Sequence, residues 1–342
     1  MISHILSFTD VATLRNAACV SRMMQLEAER YIYSSLSIFS EDRRVIPVII
    51  NNSRRLSNVK HLVVGRTTWS AMDAGLLYLL PNLTHLTTED TINIAGLRPY
   101  PFKLKRLQCP SIDQSFLMLI VTQPSVANNI AELDLFLPPV HPLPLSAFPT
   151  LDTLTTTVSV LRHMVGRPLT KIRILGTMTE MEFICHVVPI LLSFTRPITQ
   201  LSVTINDITT QTLTTLATRL PYITHLRLSD CAEPEDERLD AGGLTNPDTN
   251  AVAIKRNQMS GWTKALASLP NLMHFEYQGE EEKPWARMFG NGFSWAEDTP
   301  SICSIRYLEP RACFVRLTGK RWLGGTEAHD VFQGLESWLV TT

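Results

Sequence analysis

Short alternating stretches recur along most of this chain, with apolar side chains at every second position and polar ones between them. The clearest is Ile223-Thr-His-Leu226-Arg-Leu228-Ser-Asp-Cys231, whose apolar residues take the first, fourth and sixth places before a small residue closes it at the ninth. Ile198-Thr-Gln-Leu201-Ser-Val203-Thr-Ile-Asn206 repeats the scheme. Successive side chains of a strand point to opposite faces. Leu226 and Leu228 therefore share one face, and His225 and Arg227 the other. The central apolar residue of the phrase appears at Leu62, Leu86, Leu107, Leu133, Leu154, Ile172, Leu201, Leu226, Phe275 and Ile305. Between these strands the apolar spacing becomes that of helices, over 71–80, 114–121, 179–193, 211–220 and 259–269. Several of these stretches end at or near a proline, which stops the helix before the next strand.

The phrase matches L-x-x-L-x-L-x-x-N/C, and most intervals fall near the roughly 20–29 residues of the leucine-rich-repeat class, which the chain resembles. Cys231 occupies the closing place, where a buried side chain bonds the backbone as it turns away. Thr67, Thr91 and Thr177 take that place elsewhere, and a hydroxyl still serves. The resemblance implies an α/β leucine-rich-repeat solenoid over 40–342, a horseshoe with a parallel sheet on its concave side. Two stretches break the pattern. Pro138–Pro149 is proline-rich and reads as an extended surface loop serving as a connector; the alternative is a ligand for an aromatic-lined groove. The polar insertion 232–257 reads as a solvated loop, with a partner-contacting arm as the alternative. From residue 283 the chain holds four of its six tryptophans, Trp285, Trp295, Trp322 and Trp338. Strands over 302–307 and 313–317, a turn at Glu309-Pro310 and a helix over 328–339 read as the cap a solenoid needs at its end. An aromatic ligand pocket is the alternative there.

Residues 1–39 read differently. Thr9 or Asp10 is placed to cap a helix carrying Val11, Leu14, Ala18 and Cys19 on one face, and Ser21 to cap another carrying Met24, Ala28 and Tyr31. Ile5-Leu6-Ser7, then Leu14-Arg-Asn-Ala-Ala-Cys-Val20-Ser-Arg22, then Leu36-Ser-Ile38 resemble the F-box, here N-terminally shortened. The resemblance covers about a tenth of the chain. It lacks the Leu-Pro-x-Glu opening, and Met23-Met24 stand where the family has an aromatic; methionine fills such a slot more loosely. With the phrases Leu80-Pro-Asn-Leu-Thr-His-Leu86 and Leu269-Pro-Asn-Leu-Met-His-Phe275, the whole chain resembles fungal F-box proteins with degenerate leucine-rich repeats. That resemblance implies a Skp-family adaptor held by Ile5, Leu6, Leu14, Val20 and Met24, and a protein target presented to an SCF-type cullin-RING ubiquitin ligase. The alternative for the bundle is a helical end-cap on the solenoid.

Composition narrows the classes. The chain has 342 residues, 44% hydrophobic and 18% charged, with net charge -1. That suffices for a large core and leaves no electrostatic footprint for nucleic acid or an anionic membrane. No apolar run of about 18 residues is present, so no membrane span is expected. No signal peptide is expected at the N-terminus either. The six cysteines form no CxxC pair and read as reduced, mostly buried thiols of a cytoplasmic or nuclear protein. Asn82-Leu-Thr84 fits a glycosylation sequon, which carries little without a secretory signal.

The polar positions of the strands form the candidate target-binding concave face. His85, Arg106, Glu132 and Asp134 come from earlier repeats. Lys171, Arg173 and Gln200 follow, then His225, Arg227, His274 and Glu276. Mixed charges with neutral polar rungs suit a protein or peptide better than a phosphate backbone. Histidine recurs in one slot at His61, His85, His225 and His274. No third ligand with metal-site spacing accompanies either pair, so the slot reads as solvent-facing rather than metallic. Cys185-His186 lies in an apolar helical run and reads as a buried core pair rather than a nucleophile and base. P-loop, nucleophile-elbow, zincin and dinucleotide motifs are absent. No catalytic residue, cofactor or metal is assigned, and no enzymatic activity is expected. The sequence thus reads as a substrate receptor of a ubiquitin ligase. The alternative is a leucine-rich-repeat interaction scaffold without adaptor binding.

Overall fold

A computed structural model describes residues 6, 9–38, 51–65, 75–88, 100–109, 114–139, 143–206, 208–230, 262–278, 301, 304–307, 312–316 and 322–324. The chain is an α/β protein that forms two compact units, Met1–Pro168 and Leu169–Thr342. Among the described residues no helix is long and apolar enough to cross a membrane.

The first unit opens with helices α1 (Val11–Ala18) and α2 (Arg22–Ile32). Asp10 caps α1, its carboxylate accepting from the Thr13 N–H at 2.9 Å, and Ser21 caps α2, its hydroxyl accepting from the Met24 N–H at 3.2 Å. Thr9 takes another part, donating its hydroxyl to the Leu6 carbonyl. Leu6, Leu14 and Ala28 bury together, with Ala17, Ala18, Tyr31 and Ile32 packed against them. The face expected on α1 is therefore only partly right. Leu14 is buried, but Val11 and Cys19 are exposed because α2 covers the stripe through Leu14, Ala17 and Ala18.

Six parallel strands follow in chain order: β1 (Ser35–Ile38), β2 (His61–Val64), β3 (His85–Thr88), β4 (Arg106–Cys109), β5 (Glu132–Leu135) and β6 (Thr153–Thr157). Leu36, Leu62, Leu86, Leu107, Leu133 and Leu154 stand opposite one another across them. The second unit repeats the scheme in β7 (Lys171–Thr179), β8 (Gln200–Asn206), β9 (His225–Asp230), β10 (His274–Gln278) and β11 (Ser304–Tyr307), which align Ile172, Leu201, Leu226, Phe275 and Ile305. Strands β12 (Ala312–Arg316) and β13 (Trp322–Gly324) then add antiparallel. From Leu62 to Phe275 the aligned residues are buried, each contributing about 1.5–3 kcal/mol of transfer free energy.

One backbone device recurs at the strand entries. A carbonyl of one repeat accepts two successive N–H groups of the next, at 2.7–3.1 Å. Ser34 O takes those of Lys60 and His61; Lys60 O those of Thr84 and His85; Thr84 O those of Lys105 and Arg106. Lys105 O, Ala131 O, Thr170 O, Thr199 O and Thr224 O do the same one repeat further on. The Leu-Pro-Asn-Leu phrases add a side-chain tie. The Asn82 amide donates to Ser57 O at 2.7 Å and the Asn271 amide to Pro221 O at 3.0 Å.

Three expectations change on the structure. Thr177 does not close a turn. Gly176, at φ +86°, lets β7 slip its register between Arg173 and Thr177, and the strand then continues, pairing Thr177–Thr179 with Thr204–Asn206. Asn206 ends β8 with its buried Oδ1 lacking a hydrogen-bond partner among the described residues. Residues 179–193 do not form one regular helix: Glu180–Glu182 and Val188–Leu191 are α-helical around a π-helical turn at Phe183–Val187. Finally, the described part of the proline-rich stretch is not simply an extended solvated loop. Leu143, Ala147 and Phe148 are buried, and the Ala147 N–H donates back to Pro144 O at 2.9 Å in a tight turn. Thr67, Thr91, Cys231, the insertion 232–257, Trp285, Trp295, Trp338, Glu309-Pro310 and the helix expected at 328–339 lie outside the described residues.

Candidate protein-binding face

Alternation sends Leu62 and Val64 of β2 inward and leaves His61 and Val63 on the opposite face, and each later strand follows suit. The register then builds rows. In the first unit one row runs Ser35, His61, His85, Arg106, Glu132, Thr153 and the next Ser37, Val63, Thr87, Gln108, Asp134, Thr155. In the second, Lys171, Gln200, His225, His274 and Ser304 form one row and Arg173, Ser202, Arg227, Glu276 and Arg306 the other. The eleven residues assigned to the face from sequence thus all fall on these two pairs of rows.

Their exposure is uneven. Glu132 is exposed, and His85, Arg106, Lys171, Arg173, Gln200, His225, Arg227 and His274 are half-buried. Asp134 and Glu276 are buried, at 5% and 2% exposure. Opposite charges meet along the rows: Arg106 Nε lies 3.5 Å from Glu132 Oε2, and Arg227 Nε 3.8 Å from Glu276 Oε2.

The histidine slot forms two stacked pairs. The rings of His61 and His85 lie 4.2 Å apart, centre to centre, and those of His225 and His274 4.3 Å apart. A threonine stands beside each pair. The Thr84 hydroxyl lies 3.1 Å from Lys60 O and the Thr224 hydroxyl 3.0 Å from Thr199 O. Each is also 2.9 Å from Nδ1 of the neighbouring ring, His85 or His225. Burial lowers the pKa of all four rings. His225 is lowered furthest, to about 4, by burial and then by the charges of His274 and Lys171. At neutral pH these are uncharged, hydrogen-bonding aromatic surfaces. Among the described residues no cluster of three or more His, Cys, Asp or Glu is arranged to hold a metal ion.

The residues assigned to adaptor binding divide. Leu6 and Leu14 are buried in the core of the α1–α2 segment, Met24 is half-buried and Val20 is 73% exposed. Ile5 lies outside the described residues. Val11, Met23 and Leu26 are exposed too, leaving an apolar surface on the helical pair. Two other readings from sequence change. Cys19 and Cys185 are exposed, whereas Cys109 is a buried thiol. Cys185 and His186 face solvent, because Phe183, Val187, Val188 and Leu191 take the inner side of that helical run.

Three polar side chains that hold the scaffold escaped the sequence reading. Glu29, 4% exposed, accepts from Arg54 and lies 3.7 Å from Arg55, tying α2 to helix α3 (Ser53–Leu56). Glu180 Oε1 accepts from the N–H groups of Thr209 and Thr212, at 3.2 and 3.0 Å, and from both hydroxyls, joining two repeats of the second unit. Arg167, 1% exposed, donates to the carbonyls of Ala147, His163 and Pro144 at 3.2, 2.7 and 3.1 Å. A charged residue between apolar stretches gives no sign in sequence of which distant carbonyls it will meet. No family model matches the chain, and no curated protein sequence does either.

Proposed function

We propose that the chain is an F-box protein with degenerate leucine-rich repeats. In this reading it is the subunit that presents a protein target to an SCF-type cullin-RING ubiquitin ligase in the cytoplasm or nucleus. The observation that carries the reading is the in-register ladder, whose apolar positions build the core and whose polar positions line up as rows on the other face. Such rows suit an extended contact with another protein. The two capped helices ahead of the ladder, with Val11, Val20, Met23 and Leu26 exposed, support a docking role for that segment. The chain itself would catalyse nothing; it would raise the effective concentration of its target near the ligase.

The test is capture of a purified Skp-family adaptor by the whole chain and by its Val20→Glu/Met23→Glu variant. Both residues are exposed, so the substitutions leave the buried Leu6, Leu14 and Ala28 untouched. The expected outcome is capture by the parent chain and loss of about tenfold or more in the variant, as for two charges placed in an apolar contact. A parent chain that is folded and captures no adaptor leaves the interaction scaffold without a ligase role as the reading that stands.

A further inference from the structure

The joint between α2 and α3 holds a hydroxyl that two arginines precede. In Arg54-Arg55-Leu56-Ser57 they stand two and three places before it, and no other serine or threonine of the chain has basic residues at both places. Ser57 is the C-cap of α3 and half-buried, and its hydroxyl donates to Arg54 O at 2.7 Å. Arg54 lies one turn before it, and side chains three residues apart on a helix are neighbours, with about 5–6 Å between their Cβ atoms. The Asn82 amide donates to Ser57 O, so the same residue also touches the next repeat.

Both arginines are already engaged. Arg54 donates to Glu29, and Arg55 lies 3.7 Å from the same carboxylate with its guanidinium 4.9 Å from the centre of the Tyr33 ring. Glu29 accepts a further bond from the Gln25 amide at 3.3 Å. The partners differ in their freedom to move. The Arg54 side chain is 46% exposed and that of Glu29 6%. Arg54 can therefore swing to a second anion, while Glu29 stays where α2 holds it, left with Gln25 and the longer contact to Arg55. Leu56 is the buried side chain that a kinase cleft must draw out. A single turn such as α3 has little helical stability of its own, so that opening is local.

We infer that Ser57 is a phosphorylation site for an arginine-directed protein kinase, and that its phosphate takes Arg54 from Glu29 and loosens α2 from α3. The Ser57 Oγ attacks the γ-phosphorus of ATP. The new Oγ–P bond forms as the bond to the bridging oxygen breaks, ADP leaves with that electron pair, and the hydroxyl proton passes to the base of the kinase. Phosphoserine carries a charge of about −1.5 to −2 at neutral pH and pairs with a guanidinium fork through two hydrogen bonds. Its ester oxygen no longer donates to Arg54 O, and negative charge at a helix C-terminus is disfavoured. A buried carboxylate deprived of its cation is disfavoured as well. All three effects weaken the same joint, whether or not the helical pair docks an adaptor.

The test incubates the full chain with MgATP and the catalytic subunit of a cyclic-AMP-dependent protein kinase, locates the phosphate by mass spectrometry, and then measures amide hydrogen exchange. Phosphate is expected at Ser57 in the parent chain and is lost from that position in Ser57→Ala. In the phosphorylated parent, exchange should quicken across α2 and α3 while β7 and β8 keep their rates. Arg54→Gln without phosphate should quicken α2 in the same way, since it removes the same tie. A folded chain that takes no phosphate at Ser57, while the kinase modifies a short Arg-Arg-Leu-Ser peptide, overturns the site. Phosphate at Ser57 with exchange in α2 unchanged or slowed overturns the transfer of Arg54, as does an Arg54→Gln chain whose α2 exchanges like the parent's.

Discussion

The surroundings of His225 show how one side chain ties the repeat to its solution behaviour. Its Nδ1 lies 2.9 Å from the Thr224 hydroxyl, which is itself 3.0 Å from Thr199 O, so the ring is held beside the strand-entry device. Burial makes charging that ring costly. His61, His85 and His274 share the direction of the shift. A group with a folded pKa below its unfolded one binds more protons in the unfolded chain, so stability falls as pH falls. For His225 the contribution is whole above 6.5 and drains away as pH drops towards about 4. A melting temperature that declines across that window is expected in the parent chain, with a shallower decline in a His225→Gln/His274→Gln variant. Parallel curves for the two proteins, measured by thermal unfolding at several pH values, would show that these rings do not carry the effect. The slot itself was legible in sequence from its recurrence at His61, His85, His225 and His274. The stacking and the threonine contacts were not, because they depend on the register of two strands and on threonines whose second neighbour lies a repeat away.

At the scale of elements, the strands were legible because the alternation repeats and each copy reinforces the others. The aligned residues Leu62, Leu86, Leu107, Leu133 and Leu154, and Ile172, Leu201, Leu226, Phe275 and Ile305, were all identifiable before any register was known. The connections were less so. A π-helical turn at Phe183–Val187 interrupts the helical run, and Cys185 and His186 face outward while Phe183, Val187, Val188 and Leu191 take the inner side. The proline-rich stretch was misread for another reason. Composition suggests a solvated loop, but Arg167 donates to the carbonyls of Pro144 and Ala147 within it, and Phe148 is fully buried at φ +59°. Among the described residues no carboxylate is ion-paired with the buried Arg167. Burial lowers its pKa, yet the carbonyl dipoles hold it in place. Arg167→Met removes those donors while keeping an apolar stem. The expected cost is about 1–3 kcal/mol, that of leaving buried acceptors unsatisfied, reduced by the desolvation penalty the cation no longer pays. Limited proteolysis is expected to open new cleavage within 138–149. An unchanged melting temperature together with an unchanged digest would mean the turn at Pro144–Ala147 holds itself.

For the whole molecule the decisive property is that strands pair with their chain neighbours inside each unit. Stability in such an array is a sum of local terms and nearest-neighbour interfaces, so damage is expected to stay near its source. Leu201 is fully buried near the start of β8, flanked in sequence by Gln200 and Ser202 of the two polar rows. Leu201→Ala should cost roughly 2–5 kcal/mol. The α1–α2 segment has its own apolar cluster and is tied to α3 through Glu29, with no residue of β8 involved in either. Hydrogen exchange is therefore expected to quicken in β7, β8 and β9 while β1–β6 and the two helices keep their protection. Adaptor capture should persist. Uniform quickening across both units would mean that the chain unfolds as one cooperative body, and the assignment of two separable tasks to two parts of it would then lose its physical basis.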